Sequence, residues 1–314
     1  MSLTGYVVRR LIQLVPIVLG VTVLVFFLIH LVPGDPARTI LGNHATPQKV
    51  ALLHHEWGLD KPLPVQYWRF LGRMVRGDLG SSLFYSVPAG RLVVQRLPPT
   101  LWLIGLGTLF SVLIAVPLAA LAATKRDRLP DQIVRAVPLV GLGFPQFWLG
   151  IMLLLAFGLH LGRGFPVGGY GNGVFGHLHS MFLPSLTVAF AIAPILIRSL
   201  RAAMLEVLES DYVTTARSKG LPERRVLMRH ALRNAAVATV SVLGVNIGYL
   251  VGGTFIVEHV FAVPGVGDMM INSIFSRDFP VVQAVTLVFS LMVVLVYLLT
   301  DVAHALLDPR VRFD

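Results

Sequence analysis

Residues 281–300 read VVQAVTLVFSLMVVLVYLLT, twenty consecutive positions without an Asp, Glu, Lys or Arg. A helix of that length rises about 30 Å, the thickness of a bilayer's hydrocarbon core. In hydrocarbon each backbone N–H and C=O must find its partner within its own segment, so the stretch reads as a membrane-spanning helix. Moving outward, comparable runs occur at Leu11–Leu31, Thr100–Ala123, Ile133–Leu161, Met181–Ile197 and Ala235–Val257, which with Val281–Thr300 give an expected total of six spans. The fold class expected is therefore an all-α membrane protein. The third run is the least regular: Pro138, Gly141, Gly143 and Pro145 weaken its hydrogen-bond ladder and predict a kink that faces protein or a cavity.

Composition agrees. The chain has 314 residues, of which 55% are hydrophobic and 13% charged, about half the charge of an ordinary soluble domain. Its net charge of +10 does not indicate nucleic acid, because the basic residues collect in the connections between apolar runs. Lys125, Arg126 and Arg128 lie between spans two and three, and Arg198, Arg201, Arg217, Lys219, Arg224, Arg225, Arg229 and Arg233 between four and five. Arg163 and Arg277 are the lone Lys/Arg residues of the two loops expected on the opposite side. With Arg9, Arg10, Arg310 and Arg312 on the rich side, both termini are expected in the cytoplasm. The first run stays apolar for about 20 residues and ends at Pro33-Gly34-Asp35-Pro36 without an Ala-x-Ala-like site, so it reads as a span and not a cleaved signal. The long outer loop near Pro33–Pro98 contains a helix signalled by Thr46-Pro47 at its start and Gly58 at its end. A second segment, with Tyr67, Phe70, Leu71 and Met74 alternating with Arg69, Arg73 and Arg76, is expected along the outer membrane surface.

Several chemistries are excluded or weak. No Gly-Lys pair exists, hence no Walker A sequence, and Gly171, Gly173 and Gly176 match G-x-G-x-x-G without a preceding strand, as turn glycines do. There is no cysteine, so neither a disulfide nor a thiolate metal site is possible. His54, His55 and Glu56 lack the second helically spaced His of a zinc motif, and His177 with His179 reads as a surface pair. No metal, cofactor or catalytic set is expected. Arg135, near the start of the third run, is the one charged residue within the six spans, whereas ion-coupled carriers usually hold ionisable groups at mid-membrane. A secondary carrier is thus the alternative to a permease driven from outside the chain.

The connection between spans four and five carries more pattern than a linker needs. Met204, Leu205, Leu208 and Tyr212 recur at helical steps opposite Glu206, Glu209 and Ser210, Gly220 supplies a stop, and Pro222-Glu223 opens a second short helix. Two short helices hinged at Gly220 suit docking in a partner's groove, and an interfacial hairpin with solvated charges fits the composition equally well. In the fifth span Gly244, Gly248 and Gly252 repeat every four residues and allow close helix approach, with Asn246 and Thr254 between them as candidates for either a hydrated path or simple helix contact. Glu258, at the expected outer end, is a candidate contact for solute or an ordinary interfacial carboxylate.

Thr215-Ala216-x-x-x-Gly220 with Leu232 resembles the cytoplasmic coupling loop of ATP-binding-cassette importer permeases, although Thr214, His230 and Arg233 depart from that pattern. Arg9-Arg10-Leu11 through Leu31-Val32-Pro33-Gly34-Asp35-Pro36, Gly58-Leu59-Asp60-Lys61-Pro62, and Gly77-Asp78-Leu79-Gly80-Ser81-Ser82 resemble the dipeptide and oligopeptide permease subfamily. So do Glu258-His259-Val260-Phe261-Ala262-Val263-Pro264-Gly265-Val266-Gly267 and Arg277-Asp278-Phe279-Pro280-Val281-Val282-Gln283. The resemblance covers nearly the whole chain. It implies a type I importer permease fold in a bacterial cell membrane, with an N-terminal helix and external loop (1–98), a permease core (99–307) and a short tail (308–314). It also implies the first of two homologous permeases, cytoplasmic ATPases that bind the ATP and Mg, an external peptide-binding protein, and substrates that are short peptides, haem, nickel complexes or other small solutes. Coupling to the ATPase would fall to Tyr212, Thr215, Ala216, Lys219, Gly220, Leu221 and Arg225, and the external mouth to Glu258, Phe261, Pro264 and Gly265.

Overall fold

A computed structural model describes residues 3–31, 36–41, 45–58, 60–82, 84–160 and 164–307. The tail 308–314, with Arg310 and Arg312, lies outside the described residues, as do Arg163, Leu59 and positions 32–35 of the opening motif. Helix α1 (Leu3–Leu31) is followed by three short helices, α2 (Pro36–Leu41), α3 (Pro47–Trp57) and α4 (Leu63–Val75). Then come α5 (Ala89–Thr124), α6 (Leu129–Leu142), α7 (Gln146–Leu153) with a π-helical continuation over Leu154–His160, and α8 (Gly173–Leu208). The second half holds α9 (Asp211–Ser218), α10 (Glu223–Arg225) with a π-helical turn over Val226–Leu232, α11 (Arg233–Val260), α12 (Val266–Phe275) and α13 (Phe279–Leu307).

Among the described residues five helical stretches are long and apolar enough to cross a membrane: Val8–Phe27, Ala89–Thr124, Gly173–Leu208, Glu223–Val260 and Phe279–Leu307. The expected third span is not one helix. It divides at Gly143-Phe144-Pro145 into α6 and α7, because Pro145 has no N–H to continue the ladder and takes φ −59°, ψ 140° as the cap of α7. What remains apolar there is the shorter helix Gln146–Leu159. The sequence pattern promised a kink; the chain makes a full break.

Helix α8 is the hub, with 72% of its apolar stretch buried against 17% of that in α1. It lies chiefly on α5, and the two approach closely at Gly107, where an added Cβ would sit 2.5 Å from Val188 Cγ1. Gly107, Ser111, Ala115 and Ala119 are all buried on α5, a four-residue repeat of small side chains of the kind that lets helix backbones meet in lipid. A second such contact joins α11 to α13: a Cβ on Gly244 would meet Thr300 Oγ1 at 2.1 Å, and one on Gly248 would meet Tyr297 Oη at 3.1 Å. Gly252 has open space around it. Gly244→Val should therefore separate α11 from α13 and cost about 2–3 kcal/mol, whereas Gly252→Val should leave the thermal midpoint of the purified permease within a degree or two. Helix α1 leans on α13 from outside, tied by the Gln283 amide donating to the Val25 carbonyl at 2.9 Å.

The outer-loop helix α3 starts and stops where its caps predict. Thr46 Oγ1 accepts from the Lys49 N–H at 3.3 Å, Pro47 occupies the first turn, and Gly58 closes the helix at φ 68°.

Candidate functional site

The connection from α8 to α11 is where the sequence placed partner contact. The amphipathic helix expected through Met204–Tyr212 is interrupted: α8 ends at Leu208, and Ser210 begins α9. Helix α9 buries Val213 and Ala216 and exposes Tyr212, Thr215, Lys219 and Gly220, with Arg225 exposed beyond it and Leu221 half-buried. Ala216 thus holds the helix down and does not present itself to a partner. The end of α9 is a Schellman motif: Leu221 N–H donates to Ala216 O at 3.3 Å and Gly220 N–H to Arg217 O at 2.9 Å, with Gly220 at φ 75°. The Arg217 guanidinium spans this corner to Glu223 at 2.7 and 3.2 Å, and Asn234 Nδ2 donates to Tyr212 Oη at 3.0 Å. Together these contacts make a rigid, exposed corner.

Two ion pairs secure the same end of the molecule and were not evident from the sequence. Arg201 grips Asp131 with two hydrogen bonds, 2.6 and 2.7 Å, and the Asp127 N–H donates to the same carboxylate at 2.9 Å. Asp131 is fully buried and Arg201 only 16% exposed. Arg126 pairs with Glu209 at the foot of α8. In sequence Arg201 was one cation among many in its loop; only the fold brings it to Asp131, seventy positions away. The Arg201 guanidinium holds the Asp131 carboxyl below the usual carboxylate range. Because the folded value lies below the unfolded one, the pair's contribution is full above about pH 4 and fades as the pH drops through the lower, folded value. Asp131→Ala should cost about 3–5 kcal/mol near neutrality, and that cost should shrink as the pH is lowered into the acid range; thermal melts at pH 7 and along a descending acid series test this.

Glu258 requires a correction. It is not at a solvent-exposed mouth: its side chain has no exposed surface. Its Oε1 accepts from Thr100 Oγ1 at 2.7 Å and its Oε2 from the Asp268 N–H at 2.9 Å, while Thr100 Oγ1 itself accepts from the Val266 N–H at 2.9 Å. A carboxylate from α11 and a hydroxyl from α5 thus anchor the first turn of α12. Gly265 and Gly267 are glycines for space: a Cβ at the first would lie 2.3 Å from Glu258 Cδ, at the second 2.7 Å from Phe255 Cα. Phe261 is also buried, its ring 3.1 Å from where a Gly150 Cβ would be; Gly265 is buried and Pro264 half-buried. The four residues expected at the mouth thus form the inside of a joint.

A second joint pairs two other motifs. Ser82 Oγ and the Phe84 N–H, the latter at 3.3 Å, both donate to the buried carboxylate of Asp278.

Of the fifth-span candidates, Gly244 and Gly248 are helix contacts, as above. Thr254 is fully buried, which removes it from any hydrated path in this conformation, and Asn246 turns its amide back to Val242 O at 2.7 Å. Gly248 and Gly252 border an open groove of about 450 Å³ with Tyr249, Gly253, Met270, Thr286, Phe289, Ser290 and Val293. His177 and His179 are turned apart, toward the Tyr170 carbonyl (2.9 Å) and the Gly164 carbonyl (2.6 Å) respectively.

This architecture has close parallels. Residues 115–313 match the family described as binding-protein-dependent transport system inner membrane component, and residues 3–103 match the N-terminal family of the same membrane components. The chain is 40% identical to the glutathione transport system permease protein GsiC of Salmonella paratyphi A and 38% identical to that of Escherichia coli K12, covering 98% of this chain and 99% of each relative. Among solved structures, the inward-facing MetNI methionine ABC transporter aligns with a TM-score of 0.58 at 16% identity, over 69% of this chain and 96% of that one. An amino acid ABC transporter with histidines aligns at 0.51 and 16% identity, over 68% and 93%. Those likenesses establish the type I importer permease fold. The chain belongs to the binding-protein-dependent inner membrane component family: it is a multi-pass bacterial inner-membrane permease subunit of an ABC importer, a transport protein and not an enzyme, with ATP hydrolysis in a separate subunit.

Proposed function

We propose that this subunit imports short peptides of about the size of a tripeptide thiol such as glutathione. The observation that carries the reading is the 40% identity to a glutathione permease over 98% of the chain. On this reading it pairs with a second homologous permease, receives solute from an extracytoplasmic peptide-binding protein, and rests on cytoplasmic ATPases that hold the ATP and Mg. The coupling surface is the exposed α9 corner, Tyr212, Thr215, Lys219, Gly220 and Arg225, with Leu221 at its edge, seated by buried Ala216. A corner locked by a Schellman motif and an Arg217–Glu223 bridge transmits force without bending. The open groove at Gly252 and Tyr249 is the face offered to the second permease and the solute path. A conduit whose face carries glycines, hydroxyls and apolar side chains, and no fixed charge, tolerates peptides of varied charge.

The test is uptake by the complete importer, with its partners, in vesicles loaded with ATP. Labelled glutathione or a dipeptide should accumulate, and unlabelled peptide should compete. Accumulation of haem or a nickel chelate with no competition by peptides would reject the substrate class, and accumulation driven by an ion gradient without ATP would reject the mechanism.

A further inference from the structure

Helix α4 divides lengthwise into three sectors at 100° per residue. Gln66, Tyr67, Phe70 and Met74 are its half-buried residues on the side toward α1. Tyr67 Oη and Thr22 Oγ1 are hydrogen-bonded at 2.8 Å, the Phe26 ring lies 5.6 Å from that of Tyr67 and 5.9 Å from that of Phe70, and His30 Nε2 meets Gln66 Oε1 at 3.1 Å. A second sector carries Pro64, Trp68, Leu71 and Val75; Trp68 is 69% and Val75 78% exposed, with Leu71 half-buried between them. The third carries Arg69, Arg73 and Arg76, all exposed and, among the described residues, without an acidic partner.

The contact with α1 sets the depth of α4. The apolar stretch of α1 ends at Phe27, and Thr22 lies five residues inside that end, or roughly 7 Å at 1.5 Å per residue. Gln66 by contrast reaches His30, beyond the end of the stretch. The helix therefore lies at the boundary between acyl chains and headgroups and not above the membrane, the level at which amphipathic helices rest with about 5–10 Å of insertion. Around α1 the neighbouring surface is itself apolar and exposed, with Leu24 70% and Phe27 39% exposed, so the Trp68–Val75 stripe continues the apolar surface of a spanning helix. The arginine sector adjoins Gln66, the shallower of the two contacts, and so faces the headgroup side.

We propose that α4 is a lipid-docking element: its Trp68/Leu71/Val75 stripe inserts into the leaflet at the C-terminal end of α1, and Arg69, Arg73 and Arg76 bind the phosphates of anionic phospholipids. Planar guanidinium groups suit bidentate phosphate contact. Docking braces α1, which otherwise touches the bundle mainly through α13. An acidic protein surface would answer the arginines but not the exposed Trp and Val beside them at membrane depth.

The chain has no cysteine, so Trp68→Cys, Val75→Cys and Arg73→Cys can each carry a spin label in the complete importer, the signal of the unlabelled complex being subtracted. In nanodiscs of phosphatidylcholine with phosphatidylglycerol, labels at 68 and 75 should collide with oxygen and be shielded from a water-soluble nickel chelate, and a label at 73 should show the reverse. Co-purified phosphatidylglycerol should fall severalfold at low salt in the Arg69→Gln/Arg73→Gln/Arg76→Gln variant, up to about fivefold per arginine, and fall much less in the matching triple Lys variant, which keeps the charge and loses the bidentate geometry. Free chelate access at 68 and 75, protection of those labels only when the binding protein is added, or equal phosphatidylglycerol in the Gln and Lys variants would each overturn the proposal.

Discussion

Glu258→Ala is expected to abolish import by preventing assembly of a folded permease. The substitution leaves the Thr100 hydroxyl and the Asp268 N–H facing a cavity without the acceptor they share. Stranding buried donors costs about 1–3 kcal/mol each, and the cavity adds to this, so a total near 3–5 kcal/mol is expected, comparable to much of a domain's net stability. Glu258→Gln keeps one acceptor and should lose less, about 1–3 kcal/mol. Thr100→Val combined with Glu258→Gln should cost less than the sum of the two, since both act on the same contact. Thermal unfolding and the yield of assembled complex measure all four. A Glu258→Ala permease with unchanged yield and midpoint would show that the joint does not depend on this carboxylate.

Gly220→Pro should separate ATP hydrolysis from uptake. Gly220 sits at φ 75° and donates its N–H to Arg217. Proline can supply neither the positive φ nor the donor, so the corner carrying the proposed ATPase contact must reshape, at about 3 kcal/mol or more locally. The expected result is import reduced more than tenfold while the assembled complex still hydrolyses ATP. Gly220→Asn tolerates the same backbone and should retain most import, because nothing lies within 4 Å of the added Cβ. Full transport by the Pro variant would place coupling elsewhere.

Elements with local signals were legible in advance. Five of the six long apolar runs, the Thr46 and Gly58 caps of α3 and the Gly220 stop depend on residues within a few positions of one another, and the structure has them where expected. The Gly244 repeat was also readable, since a four-residue period places small side chains on one helix face. The same period holds at Gly107, Ser111, Ala115 and Ala119, which are buried on α5. The break at Pro145 was underestimated as a kink because apolar residues continue on both sides; hydropathy registers solvent, not ladder continuity.

The polar joints could not be found that way. Glu258 stands next to the end of an apolar run, so its local pattern is that of an interfacial carboxylate; it is buried because α5 and α12 cover it. Asp131 finds Arg201, and Ser82 finds Asp278, across 70 and 196 positions. Side-chain order along the chain decides which solvent each segment prefers and where helices begin and end, because both are settled by neighbours one or two turns away. Whether a charged group becomes a surface contact or a buried anchor depends on which distant segment closes over it, and that is decided only when the helices assemble.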